Sequence, residues 1–478
     1  MPYQLYIEEV LESLENDKDT LYSCLFVNYF FCEVTVKVLW RNIWNFKLRS
    51  DASSQILSTL IACLPNESKC LLYKRGIIIP TPTSKPPLFD YVSFCKSLSI
   101  GDIGRMIIFY FKNQQQTKIM NNNDENKELV IKEILKMYMN KINNLKRLDY
   151  SFEDTYENKT ETPKNITLIN LSGARDCLKN LTKLSCTSSV ESKFFHQLSK
   201  ICHNIQSLHI FYQEDVIGSE NELMELIYSQ NCLKELKIIT IYDNTYWKGI
   251  IPSLKKHYNT ITKFYLRGIY NESPLSFITE LINLQKLFLS VDYSKDYKEL
   301  KYAIFPKLRS LRIHYGDSFE SLIIFLENNG KNLECLECYS CDTLLIITIA
   351  KFCLKIKYLY VKIYEVEELK EILNNCKQLE KLKVMCYRCH LKVNVVLEII
   401  SNFSPKNFHE LHIIERLGES NIFPMELESF FIIWKDRVPF RSFTFIIEGN
   451  KVENENMEVI EKYKKLGIIK KFEQIIIS

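Results

Sequence analysis

The chain has 478 residues, 46% hydrophobic and 25% charged, with a formal net charge of +4. Such values fit a folded water-exposed protein, either several domains or one small domain and a long array, and they give no charge-based reason to expect nucleic acid or membrane as partner. Glycine and proline, at 12 and 13, are too few for a turn-rich β-sandwich.

At the N-terminus, Leu5, Val10, Leu11 and Leu14 are spaced as one short amphipathic helix. In the stretch Asp17 to Trp44, Leu21, Cys24 and Leu25 mark a second helix, with Asp19-Thr20 as its expected N-cap. Phe31, Val34, Val38 and Leu39 mark a third after a break at Asn28-Tyr29. Three short helices bury little surface, and such a unit is expected to lean on something else.

The same residues resemble a known family. Pro2, Ile7, Val10-Leu11 and Leu14, then Asp17, Leu21, Cys24-Leu25, Val27-Asn28, Phe31 and Leu39-Trp40-Arg41 are similar to the F-box over residues 1–45. Leu-Trp-Arg is the most specific piece. Phe31 stands where the family usually has Trp, and Met1-Pro2 replaces the usual Leu-Pro opening, about one residue out of register. The resemblance implies docking on the Skp adaptor of an SCF ubiquitin ligase, and through it on a cullin. Pro2, Ile7, Val10, Leu11, Leu14, Leu25, Val27 and Phe31 would be the adaptor-facing residues.

Residues 46–143 read as a connector. Ala52 to Leu64 is helical in pattern, PTPTSKPP at 80–87 is a loop, and Val92 to Ile100 holds a candidate first strand. Residues 112–128 are Asn-rich and predict an exposed, mobile loop. Leu129 to Ile142 returns to helical spacing, and 149–164 is a second polar stretch.

From Asn144 to the end, within 144–478, one pattern recurs: apolar, two residues, apolar, one residue, apolar. It begins with Leu145-Leu148-Tyr150, Ile166-Ile169-Leu171, Leu181-Leu184-Cys186, Ile205-Leu208-Ile210 and Leu233-Leu236-Ile238. It continues with Ile261-Phe264-Leu266, Leu284-Leu287-Leu289, Leu308-Leu311-Ile313, Leu333-Leu336-Cys338 and Ile356-Leu359-Val361. The last instances are Leu379-Leu382-Val384, Phe408-Leu411-Ile413 and Phe440-Phe443-Phe445. From Leu181 the first positions are spaced 24, 28, 28, 23, 24, 25, 23, 23, 29 and 32, mostly the period of leucine-rich repeats. Between units lie amphipathic helices, such as Phe319, Leu322, Ile323 and Leu326. A strand plus helix cannot bury its apolar face alone, so the repeats predict an α/β solenoid with a parallel sheet on its concave face. A doubly wound enzyme would also alternate strands and helices, but it calls for a Gly-rich phosphate loop, and none of the usual patterns occurs.

Two cysteine motifs invite a cofactor. Cys386-x-x-Cys389-His390 has the spacing of c-type haem attachment, and Cys335, Cys338 and Cys341 with Cys386 and Cys389 have that of zinc ligands. The repeat puts Leu333 and Leu379 two units apart, so their strands lie about 10 Å from each other, too far for one zinc. Cys338 also fills a core slot. The sixteen cysteines, in a chain with no visible export signal, read as reduced thiols, and the cytoplasm or nucleus is the expected compartment. No metal, cofactor or catalytic constellation is expected.

The outward strand positions of the six units that begin at Ile261 through Leu379 carry seven basic residues, one acidic and five aromatic. They include Lys263, Tyr265, Arg267, Lys286, Phe288, Arg312, Tyr358, Tyr360, Lys381 and Lys383. Basic and aromatic side chains together suit an acidic or phosphorylated protein partner. The sequence therefore predicts a non-catalytic substrate-recognition subunit of an SCF-type ligase, or else a leucine-rich-repeat interaction scaffold with no ligase association.

Overall fold

The computed structural model describes residues 2–15, 17–45, 50–77, 87–114, 124–150, 168–212, 220–240, 249–268, 275–291, 296–314, 319–386, 392–415, 423–449 and 452–476. The Pro-rich loop, most of the two polar stretches, Cys389 and His390 lie outside these residues, as do the side chains of Pro2 and Cys386. The chain forms two compact units, Met1–Lys234 with Gly249–Lys256 and Glu235–Lys248 with His257–Ser478.

The first unit opens with α1 (Pro2–Ser13), α2 (Lys18–Cys24) and α3 (Tyr29–Arg41). Their common core is Leu11, Leu21, Val34 and Val38, with Ile7, Leu14, Cys24, Phe30, Phe31 and Leu39 packed around it. The cap of α2 is Asp17 rather than Asp19-Thr20: its carboxylate accepts the Thr20 N–H at 3.2 Å and the Thr20 hydroxyl at 2.8 Å. Asn28 caps α3 by accepting the Phe31 N–H at 2.9 Å. Leu-Trp-Arg is spent internally. Leu39 joins the core, Trp40 packs on Tyr91 with ring centroids 4.7 Å apart, and Arg41 pairs with Glu12.

Four strands follow: β1 (Ser97–Ser99), β2 (Arg147–Tyr150), β3 (Lys183–Thr187) and β4 (Ser207–Tyr212), paired in parallel and in chain order. The first strand falls where the sequence put it. The helix Ser50–Ala62 matches expectation; Asp124–Lys141 starts five residues before the expected Leu129, so 124–128, like 112–114 at the end of the unforeseen Ile100–Gln114, is helix and not the expected loop, and Asn66–Lys74 was not foreseen either. Of the expected unit at Ile166-Ile169-Leu171, Ile166 lies outside the described residues, and Ile169 and Leu171 are not in a strand. Leu168–Asn170 is a 3-10 turn, and β2 pairs directly with β3 (Leu148 opposite Leu184), leaving no place in the sheet for it. The chain then turns at Gly173, where φ is +79° and a Cβ would lie 2.4 Å from the Met139 carbonyl oxygen; only glycine fits.

The described residues of the second unit hold ten strands: β5 (Glu235–Thr240), β6 (Lys263–Gly268), β7 (Lys286–Val291), β8 (Ser310–His314), β9 (Cys335–Cys338), β10 (Tyr358–Ile363), β11 (Lys381–Cys386), β12 (Glu410–Glu415), β13 (Phe443–Gly449) and β14 (Ile469–Ile476). Each is parallel to its chain neighbours, and the second repeat position stays in register throughout: Leu236, Phe264, Leu287, Leu311, Leu336, Leu359, Leu382 and Leu411 lie opposite one another in turn. All are buried, as are the third positions from Ile238 to Ile413. Helices such as Glu320–Asn329 and Val366–Asn375 cover this apolar face, the first through Leu322, Phe325 and Leu326, the second through Leu369, Ile372 and Leu373. Replacing one such core leucine by alanine costs about 2–5 kcal/mol. The chain is thus an α/β leucine-rich-repeat array, as its period predicts.

The last expected unit is displaced by two residues. Leu411 lies opposite Phe445 and Ile413 opposite Ile447, so Ser442-Phe445-Ile447 fills the repeat slots and Phe440 is exposed. Phenylalanines at the right spacing imitate the pattern, but Phe443 instead packs on Phe430 and Trp434. The strand β14 adds a further unit that was not foreseen, because its third slot is the polar Gln474.

Two amides brace the array from inside. Gln230, at the end of Glu220–Ser229, accepts the Ile205 N–H and donates to the Cys202 carbonyl, both at 2.9 Å. Asn329 does the same one helix type over: it accepts the Phe305 N–H at 2.7 Å and donates to the Ala303 carbonyl at 2.9 Å.

Candidate protein-interaction surface

Strand residues alternate between faces, so the residues between the core positions of β5 to β13 project from the helix-free face of the sheet. Register aligns them in rows. One row carries Glu235, Lys263, Lys286, Ser310, Cys335, Tyr358, Lys381 and Glu410; the next carries Lys237, Tyr265, Phe288, Arg312, Glu337, Tyr360, Lys383 and His412. Most of the expected partner-binding residues are therefore brought together on one surface.

Their chemistry differs from expectation. The seven basic positions are largely answered by carboxylates of the same face. Lys263 lies 3.6 Å from Glu235, Arg312 pairs with Glu337, and Lys381 sits 2.9 Å from Glu410. Glu448 on β13 holds both Lys383, at 3.2 Å, and His412, at 3.0 Å. Lys286 is exposed and has no ion pair among the described residues. The surface is a charge-paired lattice with aromatic rungs, and its basic excess is concentrated near Lys286.

The rungs are well defined. Tyr265 and Phe288 stack face to face with centroids 3.9 Å apart, Lys237 lies over Tyr265 at 4.7 Å, and Arg312 over Phe288 at 5.3 Å. Cation, ring, ring, cation is an arrangement worth about 0.5–2 kcal/mol per contact where it is shielded from water. Farther along, Tyr339 meets Tyr360 edge to face at 4.8 Å, and Lys383 lies 5.1 Å over Tyr360. Tyr360, Met385 and Ile414 form a small core of their own on this face, with Tyr339 and Tyr358 packed against it. Tyr360, expected as an exposed contact, is only 4% exposed and serves as a support for its neighbours.

Burial tunes the ionisable groups here. It raises the phenol pKa of Tyr358, with Glu337 adding to the effect, and likewise that of Tyr339. Burial opposes the charge of Arg312, but the Glu337 carboxylate more than offsets it, so the guanidinium is held further above its ordinary value. His412 is pushed below its ordinary value by burial and then by Lys383, against the opposing pull of Glu448. A surface of this kind can hold a polypeptide by ring stacking and hydrogen bonds.

The N-terminal helices present a second surface. Among the expected adaptor contacts, Leu11 is 2% exposed and belongs to the core, while Ile7, Leu14 and Phe31 pack against it and Leu25 is half-buried. Val10 and Val27 face solvent, the latter 59% exposed, and Phe26 beside it is 88% exposed. Phe26 was missed in the sequence reading because its apolarity breaks the helical period.

Elsewhere, Cys338 and Cys341 are buried, and β10 lies between β9 and β11, so the strand of Cys335 and Cys338 is not adjacent to the strand of Cys386. Among the described residues no group of three or more His, Cys, Asp or Glu is placed to hold a metal ion. No helix among the described residues is long and apolar enough to cross a membrane.

No protein-family model and no curated protein matches the chain. Among solved structures, the chain is similar to the leucine-rich repeat-containing protein LegL7 from Legionella pneumophila, at 14% identity and a TM-score of 0.36, over 62% of this chain and 93% of that one. It is also similar to the leucine-rich-repeat protein LIC12759 of Leptospira interrogans, at 14% identity and a TM-score of 0.32, over 71% of this chain and 86% of that one. At such TM-scores the fold rests on the strand register and repeat spacing, not on these likenesses.

Proposed function

We propose that the chain is a non-catalytic protein-binding scaffold, and that its N-terminal helices dock a Skp-type adaptor so that the repeats present a captured protein to a cullin ligase. The observation that carries the reading is a three-helix unit with its own core and with Val10, Phe26 and Val27 turned to solvent. Burying those three side chains on a partner is worth about 1.5–3 kcal/mol each at most. The captured protein would lie on the Tyr265–Phe288 stack, with an acidic group at Lys286.

The test is capture of purified Skp adaptor by the full chain and by a Val10→Asp, Val27→Asp variant. Both positions are exposed, so the fold should be kept while a desolvated carboxylate abolishes binding. Capture by the native chain and not by the variant supports the ligase reading. No capture by the native chain leaves the scaffold without ligase association, the alternative drawn from the sequence.

A further inference from the structure

We infer that the outer edge of β14 is a self-association surface, on which a second copy of this chain pairs antiparallel about Phe472. This is independent of the function proposed above. The starting point is a contrast between two terminal strands. The first, β1, is three residues long and its surroundings are closed: the Trp44 indole N–H donates to the Ser97 carbonyl at 2.8 Å, and the Lys96 N–H to the Arg41 carbonyl at 2.9 Å. The last, β14, is eight residues long, the longest of the fourteen strands described, and pairs with β13 alone among the described residues. The helix beside it, Asn454–Lys465, buries Ile460 and Tyr463 and turns Glu455, Glu458, Glu461, Lys464 and Lys465 outward, so the helical layer ends in a charged surface. Among the described residues β14 has no strand on its outer side, and a long edge strand is a template for another strand.

Its sequence selects the occupant. In an antiparallel ladder centred on Phe472, each Lys471 lies opposite Glu473 of the other copy and Lys470 opposite Gln474; the ladder stops there, because Ile468 and Ile469 are buried and a register irregularity before Lys471 turns them to the core. The charges complement each other twice, by symmetry. This is the self-complementarity that a two-fold contact demands. Lys471 and Glu473 already reach each other along the strand at 2.5 Å, so both heads stand on the helix-free face. Ile475 and Ile476 are exposed as the strand stands. Shifted by two residues in either direction, the same ladder opposes Lys471 to Lys471 or Glu473 to Glu473. Lysines on an edge normally discourage pairing; here, with Glu473, they permit one register.

The experiment measures the mass of the full chain in solution by light scattering at micromolar concentration. The native chain should be a dimer. Lys471→Glu alone, or Glu473→Lys alone, puts like charges opposite each other at both symmetric positions and should weaken the dimer by at least about tenfold. The exchanged pair Lys471→Glu with Glu473→Lys restores the complementarity and should restore the dimer, which a merely destabilised fold would not do. A monomeric native chain overturns the inference, as does a dimer indifferent to the single reversals or one that the exchange fails to rescue. A dimer that dissolves in an edge-matching synthetic peptide of foreign sequence, with equal strength, would overturn the choice of a second copy as occupant.

Discussion

Replacing Asn329 by alanine should loosen one repeat without unfolding the others. The amide is buried, and it makes three hydrogen bonds: from the Phe305 N–H, to the Ala303 carbonyl and to the Phe325 carbonyl. The last acceptor lies one helical turn back and can be served by the helix itself, so the Phe305 N–H and the Ala303 carbonyl are the two groups that lose their side-chain partner. A buried polar group left unsatisfied costs about 1–3 kcal/mol, so the pair costs about 2–6. A loss of about 3 kcal/mol, toward the lower end of that range, corresponds to an increase in local opening on the order of a hundredfold. Hydrogen exchange followed by mass spectrometry on peptides spanning 300–330 reads it directly, with peptides from 443–476 as an internal control. Exchange across 300–330 that stays within about threefold of the native protein would refute the idea that this amide holds the turn to the next helix.

Three further outcomes are expected. Because the folded state holds the His412 proton less tightly than the unfolded chain does, stability should fall as pH drops below about 6.5 and through the lowered folded value. Glu448→Gln removes a group that pulls this pKa upward, so the His412 titration followed by NMR should move lower still; an upward move would refute the assignment of Glu448 as its partner. Burial pushes the thiol pKa of Cys177 and Cys376 up to about 12 and of Cys202 to about 11, so a thiol reagent at neutral pH should label exposed Cys70 while these three stay unmodified in the native protein.

The repeat array was legible because two apolar slots per strand recur at a fixed offset, and the offset is what the parallel register preserves from Leu236 to Leu411. Where the pattern misled, an apolar triplet arose without a free place in the sheet, as at Ile166-Ile169-Leu171, or beside a better-packed alternative, as at Phe440. The second error had a cost for the surface. Counted from Phe440, the outward positions are Ser442, Thr444 and Ile446; counted in the observed register they are Thr444, Ile446 and Glu448. The carboxylate that holds Lys383 and His412 was thus hidden by a two-residue slip. Glu235 and Glu410 were within reach of the same count, had it been carried one repeat further each way. Charge pairing across strands depends on side-chain reach and rotamer, and no spacing rule displays it.

Within each unit, every strand described is hydrogen-bonded only to strands next to it in the chain. Each new rung therefore closes a loop of about one repeat, and loop-closure entropy grows only slowly with such lengths. Assembly can start at any repeat and spread by addition to an existing edge, with low contact order for so large a sheet. During synthesis the earlier repeats have all their strand partners before the later ones have left the ribosome. A chain arrested partway would keep its finished rungs and expose one growing edge, carrying the helix-buried leucines of its last repeat as the surface to be protected.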